Sequence, residues 1–259
     1  MLPRGQGGNG TVREELSRIE KMVGAEALEK LANSRVAVFG VGGVGGHAFE
    51  ALVRSGVGEI DIVDADVVAL SNLNRQIIAT QATVGITKVD VAEERAKSIN
   101  PAIVIHKHPI FYLPEKKEEF GLEFDKFDYI VDAIDTVAAK LDIIEEATGR
   151  GIPIISAMGC GNRFDPSKLV VTDIFKTFND PLAKVIRKGL KERGIKKLKV
   201  VASTEVPTEP LRVDGEEADQ AQTFGKPESR APGSNAFVPG AAGLLMASVV
   251  VRELIKQDK

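Results

Sequence analysis

Gly40-Val41-Gly42-Gly43-Val44-Gly45-Gly46 follows the apolar run Val36-Ala37-Val38-Phe39 and opens a helical pattern through Ala48, Leu52 and Val53 to Gly56. A second apolar run, Ile60-Asp61-Ile62-Val63, closes on Asp64. Strand, glycine turn, helix, strand and terminal carboxylate together make a βαβ unit that binds a nucleotide. Glycines let the backbone turn sharply and approach a phosphate, while the helix start offers free N–H groups and the positive end of its dipole. Gly40, Gly42, Gly43 and Gly45 are therefore candidate phosphate-cradle residues, and Asp64 is placed to accept from ribose hydroxyls. The same pattern serves NAD and FAD, so alone it does not choose a reaction.

The next stretch narrows the field. Asp66-Val67-Val68-Ala69-Leu70-Ser71-Asn72-Leu73-Asn74-Arg75-Gln76, taken with the glycine turn and the later Lys88, resembles the ubiquitin-activating-enzyme-like adenylyltransferases. That family includes the activators of molybdopterin and thiamine sulfur carriers. A dinucleotide reader has little use for Arg75 and Lys88 near the glycine turn, whereas a triphosphate needs such cations to hold and neutralise it. Hydride transfer is the weaker reading. The resemblance implies ATP with Mg²⁺, and adds Asp66, Asn72, Asn74 and Gln76 to the polar lining of the nucleotide site.

A length of 259 residues fits one large α/β domain, and a net charge of −3 implies no partner. The single cysteine, Cys160, excludes an internal disulfide and a four-thiolate zinc site within the chain, and agrees with a reducing cytoplasm. Residues 1–11 are Gly-rich and polar with no apolar core, so they read as a disordered N-terminus rather than a secretory signal. Residues 12–259 read as a single domain. Its most apolar segment, Ala236 to Val251, contains Pro239 and falls short of the ~20 residues that span a bilayer, so it reads as a buried helix.

In chain order, Leu16, Ile19, Val23, Leu28 and Leu31 predict two short helices before the first strand. Thr87 caps a helix through Ser98, stopped by Asn100-Pro101, which puts Lys88 in its first turn. A lysine there opposes the helix dipole unless an anion is near, which favours phosphate contact. Ile103-Val104-Ile105 predicts the next strand. His106 and His108 extend it, but without a third ligand they read as surface histidines rather than a metal pair. Tyr129-Ile130-Val131 predicts a strand ending in Asp132-Ala133-Ile134-Asp135, before a helix from Thr136 to Ala147. Further strands are expected at Pro153 to Ala157 and Lys168 to Ile174. The alternation argues for a Rossmann-like, doubly wound, mostly parallel α/β sheet with N-terminal helices and a C-terminal extension.

Carboxylates at such a strand end overlie the ligand crevice. The family resemblance assigns Asp135 to Mg²⁺ and leaves Asp132 to brace the loop. It also implies that an N-terminal arginine can reach a partner's triphosphate across a dimer, for which Arg18 is the candidate and Lys21 the fallback.

Asp165-Pro166, Thr172-Asp173-Ile174-Phe175-Lys176-Thr177, Asp180-Pro181-Leu182-Ala183 and the tail Ser234-Asn235-Ala236-Phe237-Val238-Pro239 resemble one branch in particular, the transfer-RNA threonylcarbamoyladenosine dehydratases. The resemblance runs from about Arg18 to Ile255 and weakens over 207–232, a Pro- and charge-rich segment expected to be a mobile loop. It implies activation by ATP of the threonylcarbamoyl carboxylate on adenosine 37 of tRNA, then ring closure with loss of water. A homodimer is implied too, and room is left for a sulfur-transfer partner protein.

Between Lys184 and Lys199 there are eight cations against Glu192, and Leu182, Val185, Ile186 and Leu190 form an apolar stripe. Lys184, Arg187, Lys188 and Lys191 are the candidate tRNA-backbone contacts, with a solvated basic helix as the alternative. No aromatic stacking platform is evident. Sulfur-carrier and ubiquitin activators add a downstream transfer cysteine and Cys-x-x-Cys pairs, neither of which is present, so Cys160 reads as a bystander thiol. Adenylation of a carrier protein's C-terminal Gly-Gly, an NAD-dependent oxidoreductase and a non-catalytic scaffold are the alternatives. Arg75, Lys88 and Asp135 argue against the last.

Overall fold

The computed structural model describes residues 14–209 and 232–256. The expectations for 1–11 and for nearly all of 207–232 fall outside them. Helices α1 (Ser17–Val23) and α2 (Ala25–Ala32) lead into strand β1 (Arg35–Phe39), then α3 (Gly45–Arg54), β2 (Glu59–Val63), α4 (Lys88–Ile99) and β3 (Val104–His108). Helix α5 (Lys117–Phe120), β4 (Tyr129–Asp132), α6 (Val137–Arg150), β5 (Ile154–Ala157) and β6 (Leu169–Asp173) follow. The chain then adds α7 (Pro181–Glu192), β7 (Lys199–Ser203) and α8 (Phe237–Leu254).

The seven strands lie in the order β3-β2-β1-β4-β5-β7-β6, all parallel but for β6, which runs antiparallel to β7. The winding direction reverses between β1 and β4. Ligands bind at such a switch point, in the crevice outside the strand C-termini. Strand alternation sorts the core onto two faces. Val36 and Val38 of β1 pack with α3, α4 and α8, while Ala37 and Phe39 pack with α6. Helix α7 covers the β7 end of the second face through Ala183, Ile186 and Leu190.

Strand β7 departs from the sequence reading. Lys196, Lys197 and Lys199 made this stretch look like the tail of a basic helix, but α7 stops at Glu192 and Val200-Val201-Ala202 is buried between β5 and β6. Val185, placed on the apolar stripe of α7, is exposed. Helix α8 has the length and composition of a membrane span, yet Val238, Ala242, Met246 and Val250 are buried in the core. A Cβ on Gly243 would stand 2.2 Å from the Val44 carbonyl oxygen, so the glycine lets α8 lie directly on α3.

Candidate active site

Where β1 ends, Gly40 turns the chain at φ +84° and its amide donates to the Val63 carbonyl at 2.8 Å. Helix α3 then starts hard against that turn, because a Cβ on Gly45 would fall 1.7 Å from the Gly40 carbonyl oxygen. No described residue accepts from the amides of Gly42 and Gly43. Gln76 lies over Gly42, with Nε2 3.8 Å from the position a Cβ would take. Gln76 is only 6% exposed, and one end of its carboxamide, Oε1, has no partner among the described residues. A buried amide left unpaired costs about 1–3 kcal/mol, and a polar ligand at the turn would relieve it.

Asp64 braces the turn as well as facing it, accepting from the Val41 and Asp66 amides at 2.9 Å each. Lys88 is buried in the first turn of α4, its Nζ 2.6 Å from Asp66 Oδ2 and 3.6 Å from Asp64 Oδ1. The anion that the helix dipole calls for is therefore present within the chain itself. Lys88 is held by two carboxylates at the mouth of the crevice.

Beyond β2, Asn72 uses Oδ1 to accept from the Ala69 amide at 3.0 Å. Arg75 donates through Nη1 to the Ser71 carbonyl at 2.7 Å and to Asn74 Oδ1 at 2.9 Å, and its aliphatic stem lies on Gly43. Asn74 in turn donates to the Ser234 carbonyl at 3.0 Å. Both ends of its carboxamide are thus engaged within the chain, so that Asn74 positions Arg75 and ties it to the start of α8. His47 is not singled out in the sequence, and Pro239 is noted there only in the apolar segment and the tail motif, not as part of the glycine turn. The His47 ring nitrogen Nδ1 lies 2.8 Å from the Gly43 carbonyl, and Pro239 packs on Gly43 itself. The only hint was the pair of small residues, Gly240 and Gly243, that admits α8 so close.

At the end of β4, Asp132 is fully buried and accepts from Lys140 Nζ at 2.7 Å and Ser156 Oγ at 2.6 Å. Lys140, also fully buried, donates further to the Ala157 carbonyl at 3.0 Å. Asp135 is exposed above this network, without a partner among the described residues. Lys140 was missed, although a lysine in register with Ile144 on an apolar helix face is a sign of a buried ion pair. No group of three His, Cys, Asp or Glu able to hold a metal occurs among the described residues. A lone carboxylate suits Mg²⁺, which is commonly held by one or two carboxylates plus phosphates and water.

Other predicted residues lie apart from this crevice. Arg18 is exposed on α1, next to Leu16, which shares a groove with Val53, Arg54, Ser98 and Asn100. Those residues end α3 and α4, so Arg18 sits at the opposite end of the sheet from the glycine turn of its own chain. Lys184, Lys188 and Lys191 are exposed on α7. Arg187 differs from them: its Nη1 turns inward to the Thr177 carbonyl at 3.0 Å and to the Thr177 hydroxyl, bracing the turn before α7. His106 and His108 lie 3.2 Å from Glu59 and 2.8 Å from Asp61, two ring–carboxylate pairs on the sheet edge. Cys160 packs against the core, and burial pushes its thiol up to about 12.

The ThiF family profile matches residues 16–258. The chain belongs to the ThiF family. It is 44% identical over 93% of its length to the tRNA threonylcarbamoyladenosine dehydratase of Bacillus subtilis, covering 95% of that protein. It is 36% identical over 69% of its length to the Escherichia coli protein of the same name, covering 66% of it. Among solved structures, Escherichia coli TcdA in complex with ATP superposes with a TM-score of 0.81 at 30% identity, over 94% of each chain. Within this fold the glycine turn has Arg75 lying on Gly43, Asp64 on the Val41 amide and Lys88 beside Asp64.

Proposed function

We propose that this ThiF-family chain is an ATP-dependent tRNA threonylcarbamoyladenosine dehydratase, closing the modification at adenosine 37 into its cyclic form. The observation that carries the reading is the end-to-end likeness to the Bacillus subtilis dehydratase, over 93% of this chain and 95% of that one. The single cysteine counts against the second reading, activation of a carrier protein through a thioester. Residues 12–259 are read as one ATP-binding domain, acting in the cytoplasm.

A carboxylate is a poor electrophile, and attack of its oxygen on the α-phosphorus of ATP gives an acyl-adenylate and pyrophosphate. A nucleophilic atom of the substrate's own carbamoyl group then attacks the activated carbonyl, AMP leaves, and the net change on the nucleoside is loss of one water. In this chain the bare amides of Gly42 and Gly43 admit the phosphates, with Gly40 and Gly45 shaping the turn. Lys88 leaves Asp66 to meet the phosphates beside Arg75, which Asn74 holds in place. Asp64 accepts from the ribose, and Asn72 and Gln76 complete the lining. Mg²⁺ held by Asp135 would neutralise charge on the polyphosphate. The gain is mostly positioning and charge stabilisation.

Arg18 is too far round the sheet to serve its own crevice, so its contribution requires a second copy. The neighbouring Met22 is exposed and offers apolar surface for such a homodimer. Lys184, Lys188 and Lys191 form a face for the tRNA backbone. The deciding experiment is mass spectrometry of nucleosides from threonylcarbamoylated tRNA after incubation with the protein and ATP. Loss of one water is expected with the wild type and not with Lys88→Ala or Asp135→Ala. An unchanged nucleoside with the wild type refutes the reading.

A further inference from the structure

Phe164 and Phe237 are far apart in sequence but meet edge to face, with ring centroids 5.0 Å apart at 77°. They remain 71% and 43% exposed. Scattered exposed apolar residues need no explanation, but this pair is held rigidly. The amide of Phe164 donates to the Glu205 carboxylate at 3.0 Å, and the next amide, of Asp165, donates to the same group at 3.0 Å. Asn235 joins the two sides, donating to the Arg163 carbonyl at 2.7 Å and accepting from the Val238 amide at 2.9 Å. The chain thus fixes both backbones while leaving both rings to solvent.

The pair also has a defined place. Phe237 is two residues before Pro239, which packs on Gly43, and three after Ser234, which accepts from Asn74. Phe164 follows β5 and precedes the short turn Pro166–Lys168, so both rings stand at the C-terminal edge of the sheet, beside the crevice. Lys168 in that turn and Lys184 in the first turn of α7 are exposed cations at the same edge.

Resting on the dehydratase reading, we propose that Phe164 and Phe237 form a stacking platform for an unpaired tRNA base that flanks the modified adenosine, with Lys168 a cation for the adjoining phosphate. An adenosine whose side chain reaches the glycine turn must be turned out of its loop, and its neighbour is left unstacked. Single-stranded RNA is recognised by stacking such bases on aromatic side chains, with cations tracking the backbone. An edge-to-face pair presents one open ring face next to a ring edge, a shape that takes a planar base.

The test uses the full-length protein, with Phe164→Ala, Phe237→Ala, Phe164→Leu and Phe164→Tyr. Three quantities are measured for each: tRNA affinity with conversion of the nucleoside, Mg-ATP affinity, and mass in solution. Each alanine variant, and Phe164→Leu, should weaken tRNA binding roughly tenfold, the loss of one stacked base. Phe164→Tyr should bind as the wild type does, and Mg-ATP affinity and mass should stay unchanged throughout. If Phe164→Leu binds tRNA normally, or if both alanine variants do, the platform does not exist. If the alanine variants instead lower the mass, the pair is covered by a second copy and the proposal fails. A wild type that leaves the nucleoside unchanged removes the dehydratase reading itself, whereas normal tRNA affinity in every variant of a converting enzyme removes only the platform.

Discussion

The ammonium of Lys88 lies 2.6 Å from the Asp66 carboxylate, in a site whose proposed work is to hold a triphosphate. A ligand that draws Lys88 to its phosphates must displace Asp66, whose side chain is largely exposed and returns to water easily. Asp66→Asn removes the competitor, so Mg-ATP affinity by calorimetry should rise, by roughly threefold for one screened charge at the surface. Lys88→Ala should lower substrate-dependent pyrophosphate release by on the order of 10²-fold. Weaker ATP binding by Asp66→Asn would mean that Asp66 touches the nucleotide directly.

The Lys140–Asp132 pair lies beneath the loop that carries Asp135 and is fully buried at both ends. Removing one partner strands a buried charge, at a cost of about 3–5 kcal/mol. Lys140→Ala should therefore unfold at much lower urea concentration than the wild type. Lys140→Met combined with Asp132→Leu should recover a large part of that loss while losing the anchoring of the loop. Equal stability of Lys140→Ala and wild type would show that the carboxylate is not stranded.

Two glycine-to-alanine changes should have opposite signs. At Gly45 the new methyl meets backbone at 1.7 Å, so Gly45→Ala must displace the turn or the start of α3. It should abolish ATP binding and lower the melting temperature. At Gly149, in the last turns of α6, a Cβ meets nothing within 4 Å. There the gain in helix propensity applies, up to about 1 kcal/mol, and Gly149→Ala should melt slightly higher.

Strands β1, β2 and β4 could be read directly because each is a short apolar run closed by a glycine or a carboxylate, as at Phe39-Gly40 and Val63-Asp64. Strand β7 could not, because its flanking lysines serve other ends. Lys199 pairs with Glu253 of α8, a contact that no local pattern announces. The site divides in the same way. Gly40, Asp64, Arg75 and Lys88 lie in contiguous motifs, whereas Ser234, Pro239 and Phe237 reach the crevice only because α8 crosses α3. The inward turn of Arg187 was hidden for a related reason: composition records a cation but not the carbonyls of Ile174 and Thr177 that its Nη1 meets.

Acid should loosen the sheet edge through Asp61. Burial alone would raise its carboxyl, but hydrogen bonds from His108 and Arg35 outweigh that and hold it below the ordinary value. A carboxyl depressed in the folded state contributes stability above its unfolded pKa, about 3.9, and loses it as pH falls through the folded value. Urea stability should fall below about pH 4 on this account. Asp61→Asn should be less stable at pH 7 and show a shallower fall in acid. A parallel acid limb in the two proteins would place the effect elsewhere.

Cys160 should be chemically silent. Thiolate, not thiol, is the reactive form, and a thiol pushed up to about 12 by burial is almost entirely protonated at neutral pH. Iodoacetamide at pH 7.5 should leave the native protein unmodified while labelling it in urea, as read by intact mass. Ring closure draws its nucleophile from the substrate, so Cys160→Ala should retain dehydration with only the modest loss of stability expected for a small packed side chain. Abolished conversion in a folded Cys160→Ala variant would mean that a covalent thioester step intervenes, and would favour the chemistry of the carrier-protein activators.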